Sequence, residues 1–337
     1  MSRTNIVSCL LAVGLAAVAQ CAFAADFYAG KTIRITTGND PGGGHDLHSR
    51  IIANNLPRFV PGQPAIVVQN LPGAGGLAAV NYVYNVANKD GTDVGLFNRD
   101  VLLQPLFGQT AARFEIDKFN WIGTPASYAD DAYLILVRSS LGYKTMEDVR
   151  KASPPLNIAH HGTPLIPLVK EGLGASAKII TGYRGSNEAV VAFQRNEVDG
   201  IGTSYVNLSR RFPDWVKNDV VRIIVQYGHE KRLPELPDVP TARELAQTPD
   251  DLDLIKLTEL PLTLGFPLAA PPGVPAENVK VLREAFAAML QDPQYKAELG
   301  KAGLEYSPRS GELLLKDIRE IMSVKPNVIA RYKSLVN

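Results

Sequence analysis

The sequence predicts an α/β protein with two lobes. Short runs rich in apolar and β-branched residues alternate with amphipathic helical stretches along most of the chain. Strand, loop and helix in this order and at this spacing indicate βαβ units, and therefore mainly parallel sheets flanked by helices. The chain of 337 residues exceeds one domain of ordinary size, roughly 100–200 residues, so we expect two domains.

The predicted strands are short and regularly spaced. We expect them at residues 33–37, 66–69, 94–97, 133–137, 157–159, 178–180, 198–201 and 221–226. The last third is helical instead, because apolar residues recur at three- and four-residue steps after Pro275. Ser310 is placed to cap a further helix, which Pro326 should bend or break. These C-terminal helices are expected to pack on a sheet.

Residues 1–24 predict a cleaved secretory signal peptide. Arg3 precedes an uncharged apolar stretch from Ile6 to Ala19, and the sequence Ala22-Phe23-Ala24 is typical of a cleavage site. The apolar stretch is short for a transmembrane span, although an uncleaved membrane anchor is the alternative. We therefore expect a protein that is exported to the periplasm.

The composition of the remaining chain excludes several classes of function. Both cysteines, Cys9 and Cys21, lie in the predicted signal peptide, so the mature chain would have no disulfide, thiol nucleophile or cysteine metal site. Removal of Arg3 with the same segment would leave 34 basic and 34 acidic residues. Without an excess of positive charge, we expect no nucleic-acid partner.

The first loop with chemical character is NDPGGGHD, residues 39–46, between a predicted strand and a predicted helix. Gly42, Gly43 and Gly44 lead into the helix, where unpaired backbone N–H groups and the helix dipole favour an anion. A P-loop would require Gly-Lys-Ser/Thr and a dinucleotide fingerprint G-x-G-x-x-G, and neither is present. The loop therefore predicts either a general anion site, suited to a carboxylate, or a plain tight turn.

A second loop repeats this design. NLPGAGG, residues 70–76, again joins a predicted strand to a helix through a glycine-rich turn that includes Ala74, Gly75 and Gly76. Loops at the carboxyl ends of neighbouring parallel strands face one crevice, which is where open α/β sheets bind ligands. The pair of loops therefore favours a binding site over two unrelated turns.

Two further loops follow predicted strands in the second half of the chain. In AHHGTP, residues 159–164, Thr163 can cap the next helix, with Pro164 at its first position. In GYRGSNEAV, residues 182–190, Ser186 stands at another helix start, and Arg184 could form a bidentate pair with an anion. A surface or interdomain salt bridge is the alternative for Arg184.

Metal binding and catalysis have less support. His45, His48, His160 and His161 could suggest a metal receptor, but H-x-x-H without an acidic base is not a metalloprotease motif. No G-x-S-x-G elbow is present, and the sequence identifies no base near Ser186 or Ser204. We expect no catalytic residue, no metal site and no cofactor.

These loops resemble the paired signatures of the substrate-binding proteins of tripartite tricarboxylate transporters, the Bug receptors. DPGGGHD and LPGAGG are similar to the first and second signature loops of that family. ITGYRGSNEAVVAFQRNEVDG (residues 180–200) and LAAPPGVPAENV (residues 268–279) resemble later family segments in the same order. The resemblance implies a periplasmic two-lobed binding-protein fold that closes on a small organic carboxylate. It also implies delivery of this carboxylate to membrane permease subunits, and we expect the protein to be a monomer.

We therefore predict the bounds of the two lobes and the residues that contact the ligand. Lobe 1 is expected over residues 25–123 plus 255–337, and lobe 2 over residues 124–254. Expected ligand contacts are Gly42, Gly43, Gly44, Asp46, Ala74, Gly75 and Gly76 from lobe 1, and His161, Gly162, Thr163, Arg184, Gly185 and Ser186 from lobe 2.

Three questions stay open at this point. Asp46 matches the Asp of the family's first loop, and it either meets the ligand through water or a ligand donor or only holds the loop in shape. The segment from His160 to Pro164 departs from the small Gly- and Ser-rich loop of the family, which puts the ligand's identity in doubt. An exported α/β enzyme acting on a carboxylated substrate and a histidine-based metal receptor are the competing functions.

Overall fold

The computed structural model describes residues 27–128, 131–161, 163–183 and 186–336, and the chain forms two compact units. Unit 1 contains the chain up to Ala126 together with Phe266–Leu315, and unit 2 contains Ser127–Gly265 and the chain from Lys316 onwards. Each unit is a sheet flanked by helices, so the predicted two-lobed α/β class is confirmed.

The strands are numbered in chain order. They are β1 (Thr32–Thr37), β2 (Ala65–Asn70), β3 (Asp93–Leu96), β4 (Asn120–Thr124), β5 (Tyr133–Arg138), β6 (Leu156–Ala159), β7 (Ala177–Ile180), β8 (Gly200–Ser204), β9 (Val221–Tyr227), β10 (Leu268–Ala270) and β11 (Arg309–Ser310). All eight predicted strands are present, with the one expected at 198–201 shifted towards the C-terminus. The prediction lacked β4, β10 and β11, of which β10 and β11 are too short to show a strand period.

The helices are numbered in the same way. They are α1 (Gly44–Asn55), α2 (Leu77–Asn85), α3 (Met146–Arg150), α4 (Leu165–Glu171), α5 (Ser186–Gln194), α6 (Tyr205–Arg211), α7 (Pro213–Lys217), α8 (Pro249–Leu264), α9 (Ala276–Gln291), α10 (Pro293–Lys301), α11 (Gly311–Met322) and α12 (Pro326–Val336). A break before Pro326 separates the last two, as predicted. Among the described residues, no helix combines the length and the apolar character needed to cross a bilayer.

The sheet of unit 1 has the order β11-β4-β10-β3-β1-β2. Strands β1, β2 and β3 are parallel, whereas β10 is antiparallel to both β3 and β4, and β11 is antiparallel to β4. The sheet is thus mixed, and its parallel part is the part that carries the two glycine loops. Helix α9 covers the sheet with the four apolar residues that the sequence period indicated, and all four are buried: Val279, Leu282, Phe286 and Met289.

The sheet of unit 2 has the order β7-β6-β8-β5-β9. Strands β6, β7 and β8 are parallel, and β5 runs antiparallel to β8 and β9. Its core includes Leu134 and Leu136 of β5, Ile201 of β8 and Phe193 of α5. Here too the parallel strands are those that lead into the loops predicted to bind a ligand.

The end of the chain belongs to a different unit from the lobe that the sequence predicted for it. The sequence-based lobe 1 includes residues 255–337, but residues from 316 onwards belong to unit 2. The cause is packing against α8, which runs unbroken through residue 255. Lys325 of the segment before α12 lies 2.6 Å from Asp250, and Arg331 donates a 2.8 Å hydrogen bond to Asp251.

Candidate functional site

The two glycine-rich loops leave unit 1 from one edge of its sheet. Parallel pairing places the last residues of β1, β2 and β3 side by side, with Thr37 opposite both Asn70 and Leu96. The loops also touch through backbone atoms, since a Cβ added to Gly38 would lie 2.4 Å from the Cα of Gly76. Sequence reasoning overlooked Gly38, because the requirement for glycine there comes from the other loop.

Asp46 holds the first loop in shape. Its Oδ2 accepts 2.8 Å hydrogen bonds from the Gly42 N–H and from Arg50 Nε, and its Oδ1 accepts a 2.9 Å bond from Asn70 Nδ2. Asn70 also donates to the carbonyl of Asn39, which joins the end of β2 to the first loop. The side chain of Asp46 is 2% exposed. Of the two roles left open for Asp46, this geometry supports the structural one.

The protonation state of Asp46 follows from the same contacts. Burial by itself would raise the pKa of this carboxyl. The hydrogen bonds from Arg50, Gly42 and Asn70, together with the charge of Arg50, outweigh burial and lower the pKa to about 2. Asp46 is therefore an ion-paired carboxylate at neutral pH, and its charge is compensated within the loop.

The start of α1 presents backbone donors at the surface. The first helical hydrogen bond runs from the Leu47 N–H to the Gly43 carbonyl at 2.9 Å. The N–H groups of Gly43 and Gly44 lie before this bond, so they have no acceptor within the helix. Gly43 and Gly44 are exposed. The N–H of Gly42, by contrast, is already bonded to Asp46. Among the three predicted glycines, Gly43 and Gly44 are thus the available donors.

The second loop is held in a left-handed conformation. Ala74, Gly75 and Gly76 have φ values of 48°, 66° and 103°. The N–H groups of Gly76 and Ala78 donate to the Gly73 carbonyl, and Gly76 is buried. Ala74 and Gly75 are exposed, which leaves these two of the three predicted residues at the surface of the loop.

Asn98 is a loop residue that sequence reasoning missed. It follows β3, and its Nδ2 donates to the Gly75 carbonyl at 3.2 Å while its Oδ1 caps the short helix that begins at Arg99. It thereby ties the second loop to the neighbouring strand. The signal available in the sequence was its position directly after a predicted strand of the same sheet.

His45 and His48 pack on an aromatic ring of unit 1. Their ring centroids lie 4.7 Å and 4.2 Å from that of Phe266. Burial, then the charge of Arg99, lowers the pKa of His45 to about 4 against an opposing hydrogen bond with the Phe97 backbone. Burial, then the proximity of His45, lowers the pKa of His48 to about 4. Both rings are neutral at pH 7.

The histidines do not assemble a metal centre in the part of the chain that the structure describes. Within those residues, no group of three or more His, Cys, Asp or Glu side chains could hold a metal ion. The aromatic packing of His45 and His48 instead fits a role in supporting the first turn of α1.

The loop edge of unit 2 lies at the carboxyl ends of β6, β7 and β8. At this edge, His161 Nε2 lies 3.1 Å from the Tyr133 hydroxyl and 3.2 Å from the Gly202 carbonyl. Because a carbonyl can only accept, we assign a proton to Nε2, which donates it to the Gly202 carbonyl. Thr163 Oγ1 accepts from the Leu165 N–H at 3.4 Å, and α4 begins at Leu165, one residue later than predicted.

Ser186 is the first residue of α5, where the sequence placed it. Gly162, Arg184 and Gly185, the other predicted contacts of this edge, lie outside the described residues. His161, Thr163 and Ser186 are therefore the predicted contacts of unit 2 to which the structure assigns a position.

Asp131 is a buried carboxylate at the same edge and was not predicted. It lies just before β5, whose first residue Tyr133 pairs with Ser204 at the end of β8. Its Oδ1 accepts 2.8 Å and 3.0 Å hydrogen bonds from the N–H groups of Ala132 and Val206. Burial raises the pKa of this carboxyl, although the hydrogen bonds from the Val206 and Ala132 N–H groups oppose the shift.

Two units, each a sheet whose parallel strands end in loops at one edge, have the architecture of the two-lobed solute-binding proteins. The family model described as "Tripartite tricarboxylate transporter family receptor" matches residues 49–332. The chain belongs to this family of periplasmic solute-binding receptors, as its signature loops predicted.

Individual relatives agree with this assignment. A Cupriavidus necator protein named "UPF0065 protein in gbd 5'region" is 27% identical over 319 residues, which are 90% of this chain and 88% of the relative. A crystal structure of a TctC solute-binding protein from Polaromonas, solved without ligand, has 21% identity and a TM-score of 0.68. The match covers 92% of this chain and 99% of that one. The periplasmic binding protein BugD is 21% identical with a TM-score of 0.50, over 91% and 98% of the two chains.

Proposed function

We propose that this protein captures a small organic carboxylate in the periplasm and delivers it to the membrane permease subunits of a tripartite tricarboxylate-type transporter. The observation that carries the proposal is the start of α1 in unit 1, where the exposed Gly43 and Gly44 bring N–H donors to the positive end of a 12-residue helix. A carboxylate oxygen is an acceptor that suits such donors.

The charge of the first loop supports an anionic ligand. Asp46 is the acidic residue in the first turn of α1, but Arg50 Nε lies 2.8 Å from its Oδ2 and compensates it. His45 is neutral at pH 7 and contributes no charge of its own. The anion would therefore not face an unpaired charge on Asp46, and the exposed Asp40 is the other carboxylate of this loop.

The ligand contacts that we propose follow from the accessible groups of each unit. Unit 1 would supply Gly43 and Gly44 from the first loop and Ala74 and Gly75 from the second, while Gly42, Gly76 and Asp46 shape the loops. Unit 2 would supply His161, Thr163 and Ser186, and the family resemblance adds Gly162, Arg184 and Gly185, which lie outside the described residues.

A proline substitution tests the role of the Gly44 N–H. Gly44 is the first residue of α1, where proline is well tolerated, and the extended Gly43 (φ −78°, ψ 170°) suits a residue that precedes proline. Gly44→Pro should therefore remove one donor and leave the helix intact. Gly44→Ala is the matched control, because it keeps the N–H and its Cβ would meet only Phe266 Cε1 at 3.9 Å.

The assay is a thermal-shift screen of organic acids followed by calorimetry on the best acid. A ligand at 100 times its Kd should stabilise the native state by about 2.7 kcal/mol. We expect Gly44→Pro to weaken binding about tenfold or more, which corresponds to the loss of one charge-assisted hydrogen bond. Equal affinity in the proline and alanine variants would contradict the proposed contact. Stabilisation by a divalent metal alone, with no response to any acid, would contradict the proposed function.

The remaining parts of the proposal concern export, assembly and chemistry. We propose that residues 1–24 are removed on export, that the mature protein is a monomer, and that it binds its ligand without a cofactor and without turnover. Mass spectrometry of the secreted chain, light scattering, and chromatography of candidate acids incubated with the protein test these points. Conversion of any acid would favour the competing enzyme.

A further inference from the structure

We propose that Asp131 selects ligands that carry a hydrogen-bond donor, because its Oδ2 accepts a hydrogen bond from an ammonium or hydroxyl group of the bound carboxylate. This inference rests on the proposed carboxylate-binding function and specifies the class of ligand. It would make Asp131 a specificity-determining residue of the loop edge of unit 2.

The position of Asp131 is set by the pairing of β5 with β8. Residue 133 pairs with residue 204 at the carboxyl end of β8, and the Tyr205 N–H donates to the Ala132 carbonyl at 2.8 Å. Asp131 therefore lies at the sheet edge from which the loops after β6 and β7 also leave. His161 and Thr163 of the first of these loops are proposed ligand contacts.

The two carboxylate oxygens of Asp131 differ in their hydrogen bonds. Oδ1 accepts hydrogen bonds from the Ala132 and Val206 N–H groups. Oδ2 is a buried atom, yet it has no hydrogen-bond partner in the described chain. The whole residue is 5% exposed, so solvent has little access to it. A buried acceptor without a hydrogen bond costs free energy. We therefore expect Oδ2 to gain a hydrogen-bond donor in the functional state.

The partner that fits Asp131 Oδ2 is a hydrogen-bond donor of the ligand. A carboxylate oxygen repels the carboxylate of a ligand and binds an N–H or O–H group. Asp131 Oδ1 is already held by backbone donors, so the side chain is preoriented. An acid with an amino or hydroxyl substituent would pair its carboxylate with backbone N–H groups and its substituent with Asp131 Oδ2. The unsubstituted acid of the same skeleton would lose the second interaction.

Matched acids provide the test. The Kd values of the mature protein would be compared for succinate, malate and aspartate, for tricarballylate and citrate, and for phenylpropanoate, phenyllactate and phenylalanine. We expect that, in the series that binds, a substituted acid binds at least tenfold more tightly than its parent. Equal or tighter binding of the parent acid would overturn the inference and leave the proposed function intact. Failure of every acid to bind would overturn the proposed function, and this inference with it.

Two variants complete the design. Asp131→Asn keeps an acceptor for the Ala132 and Val206 N–H groups but replaces the second oxygen with an amide donor, so the preference for substituted acids should fall to less than threefold. Asp148→Asn is the matched control, because Asp148 also accepts backbone N–H bonds at a helix start of unit 2, at the exposed α3. If Asp131→Asn keeps the full wild-type preference for substituted acids over their parent acids, the inference is overturned. The wild-type comparison decides the question by itself if that variant does not fold.

Discussion

At the scale of single residues, the two buried carboxylates near the loops have opposite surroundings. Both oxygens of Asp46 accept hydrogen bonds, and one of them also meets the guanidinium of Arg50. Asp131 is buried with backbone donors on one oxygen only. The pKa of Asp46 is lowered and that of Asp131 is raised for this reason. We therefore assign a structural role to the first and propose a ligand-facing role for the second.

Asp46 should make stability depend on pH. Its pKa falls from 3.8 in the unfolded chain to about 2 in the folded one, so its stabilisation is complete above about pH 4 and is lost as the pH falls towards 2. The shift corresponds to about 2 kcal/mol. We expect Asp46→Asn to lower the urea midpoint at pH 7 and to differ less from wild type at pH 3. Asp40→Asn, an exposed carboxylate of the same loop, is the control. A constant difference between wild type and Asp46→Asn across this range would contradict the prediction.

At the scale of elements, the two glycine loops form one structure. Gly38 approaches Gly76 through backbone atoms, Asn70 joins β2 to the first loop, and Asn98 joins β3 to the second. The predicted motifs identified the loops, and parallel pairing of β1, β2 and β3 set them side by side. Their mutual contact was not predictable from spacing, because it depends on pairs that are distant in the sequence, such as Asn70 with Asn39, which are 31 positions apart.

Gly38→Ala should separate the two loops. Its Cβ would lie 2.4 Å from Gly76 Cα and 2.9 Å from Gly76 O, and backbone atoms cannot move aside cheaply. We expect a loss of about 1–3 kcal/mol in the free energy of unfolding, measured by urea titration. Gly43→Ala is the matched control, because its Cβ would meet only the Asp40 carbonyl at 3.7 Å and its φ of −78° is ordinary for alanine. Equal free energies of unfolding for the two variants would contradict this prediction, because the loops could then separate with no loss of stability.

At the scale of the whole molecule, the chain passes from unit 1 to unit 2 and back before its last helices return to unit 2. Helix α12 belongs there because Lys325 and Asn327 bind Asp250 and because Arg331 binds Asp251 and the Glu171 carbonyl. The residues joined by these contacts are 75 to 160 positions apart in the sequence. Sequence order alone had grouped this helix with lobe 1.

Arg331→Ala should therefore destabilise unit 2 selectively. The variant loses a hydrogen bond to the largely buried Asp251, a contact worth about 1.5–3 kcal/mol for a charged pair. We expect faster hydrogen exchange of the amides of α8 and α4, with β1 of unit 1 unchanged. Arg319→Ala, an exposed arginine of α11, is the control. An equal increase in the hydrogen-exchange rates of the β1 amides would contradict the division into two units.

The sequence by itself determined the α/β class, most of the strands, the amphipathic helix α9 and the signature loops that place the chain in its family. These features depend on residues close together in the chain, where periodicity and turn chemistry act directly. The tertiary structure alone decided the roles of Gly38 and Asn98, the burial of Asp131, the packing of His45 and His48 on Phe266, and the unit to which α12 belongs. Each of these depends on contacts between distant segments, such as Asp131 with Val206, which are 75 positions apart. Local sequence patterns therefore do not predict such contacts.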